Sequence, residues 1–413
     1  MPLFSGRCYS NIKLIGKTAI VTGCNTGIGK ETVLDFYKRG AKVIMACRNI
    51  DKAEAAKTDI ENTCKDLPEK GKLVVEKCDL SSMSSVREFT KKILKSEPHI
   101  NILVNNAGVM MCPKGVTEDG FEIQLGTNHL AHFLLTMLLL PCIRNSTPAR
   151  IVTVSSRAHT RYDINFDDLN YETRRYNSAE AYSQSKLANV LFSRELAAKL
   201  KAHNIEGVNT YSLHPGVIRT ELGRHMDEVL FKGARRIIGV LFYPFFKTPV
   251  LGAQTTIYCA VDEKCANETG LYYSDCVVTT PDRKALNDEY AKKLWEKSVE
   301  LVRLGDFDPF TAVHSGAATG VAPNRGDLKD VLGVIGVTES DWRPVVVEPA
   351  VDAAVAVAHV TTGVVARELA PSKDADIVTG GTRYDADPYL KLLLRHSGNF
   401  RKKVTSIFVK NLN

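Results

Sequence analysis

The chain is 413 residues long, more than one average domain, and its 44% hydrophobic and 24% charged residues exclude a disordered chain. A net charge of +7 suits an anionic ligand or an acidic membrane surface, but no basic block or zinc-finger spacing accompanies it, so no nucleic-acid partner is expected. The ten cysteines form no CxxC pair and no regular framework; in a chain this long they read as reduced intracellular thiols, Cys24, Cys47 and Cys142 among them.

The opening MPLFSGRCYSNIKL lacks an apolar core and does not read as a secretory signal. From there to about residue 305, short β-branched runs alternate with amphipathic stretches. TAIVTG, AKVIMAC, LVVEKCDL, INILVNNAG, RIVTVSS and GVNTYSLHPG read as strands. KETVLDFYKRG, MSSVREFTKKILKS and AEAYSQSKLANVLFSRELAAKLKAH read as helices between them. A further helix over about 283–303 carries Leu286, Leu294, Val299 and Val302 on its apolar face. Strand and helix alternating at this spacing predict βαβ units, hence a doubly wound parallel α/β sheet of the Rossmann type. Such sheets bind ligands beyond the carboxyl ends of their strands.

After Gly305 the character changes. The tail 306–413 has no Cys and no Met, and it holds an Ala/Val-biased stretch over 345–365. It carries no chemical motif and reads as a small appended domain, a poorly ordered extension or a gene-model error. The longest apolar run, Ile237 to Phe246, is about half a membrane span and contains Pro244, so no bilayer-spanning segment is expected there.

Three constellations carry chemistry. TGCNTGIG, Thr22 to Gly29, follows a strand and opens a helix. Gly23, Gly27 and Gly29 remove side chains where the backbone must turn and approach a pyrophosphate, and the helix N-terminus offers its N–H groups to that anion. Asn25, Thr26 and Ile28 of the same turn are candidate cofactor contacts. A glycine-rich turn without a ligand is the bland alternative, and the βαβ context counts against it.

Second, an NAD enzyme places a carboxylate near the end of the second strand to hold the ribose 2′-hydroxyl. Here that strand ends Ala46-Cys47-Arg48. An arginine there can pair with a 2′-phosphate, which favours NADP; a solvated surface arginine is the alternative.

Third, Tyr182 and Lys186 stand at i and i+4 in a helical pattern, so phenol and ammonium share one face. A nearby positive charge is expected to lower the phenol pKa. Ser155 and Ser156 end the strand RIVTVSS, where a hydroxyl could stabilise developing alkoxide charge.

Together these motifs resemble the short-chain dehydrogenase/reductase family, and within it the retinol dehydrogenase-like branch, over about 11–305. TGCNTGIG, ACR, CDL, NNAG, GTNHLAHFLLT, VSS, YSQSK and HPGVIRTEL appear in order, and FDDL, KLANVLF and LWEKSVELV narrow the match. The resemblance implies a catalytic tetrad of Asn128, Ser156, Tyr182 and Lys186, with Ser156 rather than Ser155 facing substrate and Asn128 helping to hold a relay water. It also implies that Asp79 and Leu80 flank the adenine and that Asn106, Ala107 and Gly108 line the adenine ribose region. Pro215, Gly216, Val217 and Thr220 would meet the nicotinamide end, alongside Tyr182 and Lys186. His129, His132 and His159 have no metal-ligand partners at useful spacing and read as packing or surface residues, so no metal is expected.

The expected activity is hydride transfer between NADP(H) and a small hydrophobic aldehyde or alcohol, retinal/retinol first. Lipid, steroid or xenobiotic carbonyls, or a non-catalytic cofactor-binding protein, are the alternatives. The stretch 228–248 mixes Lys232, Arg235, Arg236 and Lys247 with large apolar residues. It reads as a substrate lid, an interfacial membrane helix or core packing. The expected location is intracellular, in the cytoplasm or peripheral on a cytoplasm-facing membrane. Some members of the branch carry an N-terminal membrane anchor, and none is expected in this sequence.

Overall fold

The structure, a computed structural model, describes residues 5–218 and 246–314, together with the backbone of 377–379 and 382–384. The strands of the first unit are β1 Thr18–Thr22, β2 Lys42–Cys47, β3 Lys72–Lys77, β4 Ile102–Asn105, β5 Ala149–Val154, β6 Val208–His214, β7 Leu271–Ser274 and β8 Val277–Val278. They form one sheet in the order β3-β2-β1-β4-β5-β6-β7-β8. Pairing is parallel throughout except for β8, which returns antiparallel to β7. The winding reverses between β1 and β4, which opens a crevice at the carboxyl edge of those strands. This is the doubly wound parallel sheet that the alternating pattern predicts.

Both faces of the sheet are covered. On one, α1 Gly27–Lys38, α2 Ile50–Thr63 and α6 Pro249–Val261 close a core containing Val21, Phe36, Met45, Tyr211 and Ile257. On the other, α3 Met83–Ser96, α4 Ile123–Arg144, α5 Ser178–Ala202 and α7 Asp288–Leu301 bury Phe89, Leu103, Phe133, Leu191 and Trp295. Covering on both sides explains why all five residues of β1 are buried, with Ala19, Ile20 and Val21 consecutive and apolar rather than alternating with polar residues. Helix α3 instead buries a single stripe, Met83, Val86, Phe89, Thr90 and Ile93. Side chains fix the helix starts: Ser82 accepts the Ser85 N–H ahead of α3, and Asn177 accepts those of Ala179 and Glu180 ahead of α5.

Helix α4 is long and apolar enough to cross a membrane, yet 94% of its apolar window is buried in the fold, which makes it a core helix. It is not regular. A short turn, Ile123–Leu125, passes into a π-helical stretch, Gly126–Leu130, before the α-helix Ala131–Arg144. Such π turns are rare and concentrate at functional sites. Its apolar surface has no one-sided period, which is why α4 is absent from the strands and helices expected by patterning.

Packing of the first unit continues past Gly305. Phe310 is buried, stacks on His203 at 4.5 Å between ring centroids and meets Trp295 at 6.0 Å, while Arg144 donates to the Phe310 and Ala312 carbonyls. The chain divides into compact units at 1–317 and 318–413. In the second, Ile377–Thr379 pairs antiparallel with Thr382–Tyr384.

Candidate active site

Between the end of β1 and the start of α1 the chain reverses within a few residues. Gly23 and Gly27 take φ of +60° and +58°, where a side chain would be strained. A Cβ on Gly29 would lie 2.6 Å from Asn106 Nδ2 and 2.7 Å from the Gly23 oxygen, closer than packing allows. Thr26 leads into α1 without a side-chain cap, so it leaves the first-turn N–H groups uncommitted to its hydroxyl. Ile28 packs against the core beneath the turn. Asn25 and Thr26 line a cavity of about 420 Å³ with Lys30, Lys52, Ala55 and Ala56. A bare helix N-terminus, glycine backbone and two lysines fit a dinucleotide's phosphates.

The neighbouring turn after β4 is bound to this one. Thr22 Oγ1 accepts the N–H groups of Asn106 and Ala107, both at 3.0 Å, and Asn106 Nδ2 donates to the carbonyls of Thr22 at 2.8 Å and Gly23 at 3.2 Å. A Cβ on Gly108 would sit 3.1 Å from Asn128 Oδ1 and 3.4 Å from Lys186 Nζ, so this glycine lets the turn lie against those two side chains. At the end of β2, Arg48 extends into solvent, 66% exposed, with Nε 3.9 Å from Asp79 Oδ2. The Asp79 carboxylate is also held by the Ser81 N–H at 2.9 Å and hydroxyl at 2.7 Å, whereas Leu80 is buried in the core. Cys24 and Cys47 meet beneath the turn, their sulfurs 3.6 Å apart; both are free thiols.

The remaining groups converge beyond β5. Ser155 and Ser156 are separated by what their hydroxyls do. Ser155 Oγ is buried and donates to the Lys186 carbonyl at 2.6 Å. Ser156 opens the short turn Arg157–Thr160, where its Oγ accepts the Ala158 N–H at 3.2 Å, and it lies near enough to the Tyr182 phenol to lower its pKa. Tyr182 and Lys186 are both buried on α5, with the ammonium 5.8 Å from the phenol ring centroid and donating to the Val154 carbonyl at 3.1 Å. Burial pushes the phenol up to about 12, with Ser156 opposing it, and pushes the ammonium down to about 8. The phenol pKa is therefore raised, not lowered as expected from Lys186: loss of hydration governs it, and the opposing influence comes from Ser156. The result is a phenol that keeps its proton at neutral pH.

Asn128 lies fully buried in the π turn of α4. Its Oδ1 accepts the Val109 N–H at 2.8 Å, and its Nδ2 donates to the Val109 carbonyl and to Ser185 Oγ, both at 2.9 Å. The carboxamide is thus committed to the turn after β4 and to α5, while the backbone carbonyl is met by His132 Nδ1 at 3.0 Å. Beyond β6, Gly216 takes φ +98°, and a Cβ there would fall 2.6 Å from Lys247 Cδ. Pro215 precedes it, and the Val217 carbonyl accepts the Lys247 N–H at 2.8 Å. Lys247 in turn pairs with Asp275. Thr220 and residues 228–245, most of the stretch read as a lid, an interfacial helix or core packing, lie outside the described residues.

With this geometry in place, the family model for the short chain dehydrogenase matches residues 17–229. Human retinol dehydrogenase 13 is 46% identical over 299 residues, spanning 72% of this chain and 88% of the relative. Human retinol dehydrogenase 12 is 47% identical over 297 residues, 72% and 90% of the two chains. The chain belongs to the short-chain dehydrogenase/reductase family. Within it the chain is retinol dehydrogenase-like. The crystal structure of an uncharacterized protein from Mycobacterium paratuberculosis superposes with a TM-score of 0.56 at 34% identity, over 71% of this chain and 95% of that one. As a short-chain dehydrogenase/reductase the protein is an oxidoreductase of CH–OH groups with a nicotinamide cofactor.

Two histidines of this short-chain dehydrogenase/reductase do more at the site than their sequence setting suggests. His159 Nδ1 lies 2.8 Å from the Ser156 carbonyl while its Nε2 accepts the Asp282 N–H at 3.1 Å, so the ring holds the chain after β5 against the chain after β8. His132 Nδ1 makes the same kind of contact with the Asn128 carbonyl at 3.0 Å. His129, in contrast, bonds Ser298 of α7 at 2.9 Å and packs among Phe133 and Phe192.

Proposed function

We propose that this chain transfers hydride between NADP(H) and a hydrophobic aldehyde or its alcohol, with retinal and retinol as the first pair. The observation that carries this is the convergence of Ser156, Tyr182 and Lys186 at the carboxyl edge of the sheet, next to a glycine turn shaped for phosphates. The substrate is taken from the relatives named retinol dehydrogenase. The preference for NADP is supported by Arg48 at the end of β2, where no carboxylate is present to claim a ribose 2′-hydroxyl.

The cofactor, when bound, supplies or accepts the hydride. Gly23, Gly27, Gly29 and the α1 N-terminus would hold its phosphates, and Arg48 the 2′-phosphate. In the reducing direction Ser156 hydrogen-bonds the carbonyl oxygen and polarises it. Tyr182 then gives that oxygen a proton, a task suited to a phenol that stays protonated at neutral pH. Lys186 keeps a positive charge beside the phenol as the proton leaves. Asn128 fixes the turn after β4 against α5. All of these groups fall within 11–305, and the tail contributes none of them.

Cofactor oxidation with retinal tests the assignment. NADPH is expected to be used at least about tenfold more efficiently than NADH, the effect of one charge-assisted contact. Equal use of both would overturn the NADP assignment. Turnover of other lipid, steroid or xenobiotic carbonyls but not retinal would overturn the substrate, and no turnover across the panel would overturn the enzyme.

A pH profile follows from the same groups. Lys186 loses its proton as pH rises through about 8, while Tyr182, at about 12, does not titrate first. The kcat for reduction should therefore fall with a single proton loss near pH 8. A flat profile to about pH 10 would remove Lys186 from the mechanism.

A further inference from the structure

The cofactor turn and the π turn that carries Asn128 are touched by one buried side chain. His132 stands one helical turn beyond Asn128, on the first turn of the regular part of α4, and is 1% exposed. Its Nδ1 is 3.0 Å from the Asn128 carbonyl, and its Nε2 is 2.8 Å from Thr22 Oγ1.

The partners fix where the ring proton sits. A carbonyl only accepts, so Nδ1 carries the hydrogen. Thr22 Oγ1 already accepts two N–H groups, from Asn106 and Ala107, which occupies both its lone pairs and leaves its own proton to give. The competing acceptor, the Val104 carbonyl, is farther away at 3.4 Å. Nε2 is therefore bare and accepts. Burial, with the Lys186 charge adding to it, drives the imidazole pKa down to about 4, against the Asn128 hydrogen bond, so the ring is neutral at physiological pH.

We propose that His132 is a positioning residue that sets the Asn128 carbonyl and the Asn106–Ala107 cofactor turn as one unit. This rests on the roles given above to Asn128 and to the cofactor turn. The Asn128 carboxamide is spent on Val109 and Ser185, so the carbonyl is what Asn128 can still offer the active site. It belongs to a π turn, whose hydrogen bonding does not hold each carbonyl as a regular helix does. His132 takes one lone pair of that oxygen and thereby aims the other. Through Thr22 the same ring feels where the cofactor turn lies. An apolar side chain of similar volume would fill the space but satisfy neither end.

Three substitutions separate the two ends. Asparagine places its amide nitrogen where Nδ1 stands, glutamine reaches the Nε2 position, and leucine replaces neither. His132→Leu is expected to lower kcat by about tenfold to a hundredfold, as misplacement of a catalytic group does, and to weaken NADPH binding followed by fluorescence titration. His132→Asn should recover kcat to within about threefold, and His132→Gln should recover NADPH affinity but not kcat.

A folded His132→Leu protein with unchanged kcat would overturn the proposal. If that variant does not fold, the other two decide: equal recovery of kcat by asparagine and glutamine overturns the proposal, and recovery by asparagine alone supports it. Tyr182→Phe, run alongside, separates the two levels. Full activity there would sink the tetrad on which the proposal rests, whereas an inactive Tyr182→Phe beside a fully active His132→Leu sinks the His132 role alone.

Discussion

Tyr182→Phe should lower kcat by a factor on the order of a hundred to ten thousand while leaving NADPH affinity unchanged. The phenol is buried near Ser156 and Lys186, and the proposed mechanism gives its hydroxyl the task of protonating the carbonyl oxygen. Burial holds it up at about 12, so at neutral pH every molecule has the proton in place. Phenylalanine keeps the ring and its packing on α5 but has no proton to give. The glycine turn and Arg48 are untouched by the change, so cofactor affinity by fluorescence titration is the control. Residual kcat within about tenfold of the parent would show that another group protonates the substrate.

Arg48→Ala should raise the Kd for NADPH by about tenfold and leave that for NADH unchanged. A charge-assisted pair with a phosphate would allow more, but Arg48 is two-thirds exposed and solvent screens it. For the same reason the difference between the parent and Arg48→Ala should shrink as salt is raised. Asp79 lies near the guanidinium in this structure, so binding a 2′-phosphate means giving up part of a weak surface pair rather than a strong buried one. An equal loss of NADPH and NADH affinity would mark Arg48 as a support for the β2 end, not a reader of the 2′-phosphate.

Much of the site was legible before folding because it is written in local spacing. The TGxxxGxG turn and the Tyr182–Lys186 pair each depend on neighbours within a few residues, and their positions at strand and helix ends follow from the βαβ pattern. Helix α4 was not legible in the same way. It is apolar on nearly every side, so it has no face for a period to reveal, and its π turn at Asn128 leaves no mark in composition. The two serines at the end of β5 could not be told apart by pattern either. Only the packed helix shows that one hydroxyl is spent on the Lys186 carbonyl.

The sequence by itself therefore determined the doubly wound sheet, the glycine cradle, the arginine at the end of β2 and the i, i+4 pairing of phenol and ammonium. These arise from backbone turns and from periods of two and about three and a half residues, which act over short stretches of chain. The tertiary structure decided the protonation of Tyr182 and the tie from Thr22 through His132 to Asn128. Burial of the phenol depends on everything packed around it, and it raises the pKa against the influence of Ser156. Thr22 and His132 are 110 residues apart in sequence and meet only because the sheet places β1 beside β4 and lays α4 over that junction.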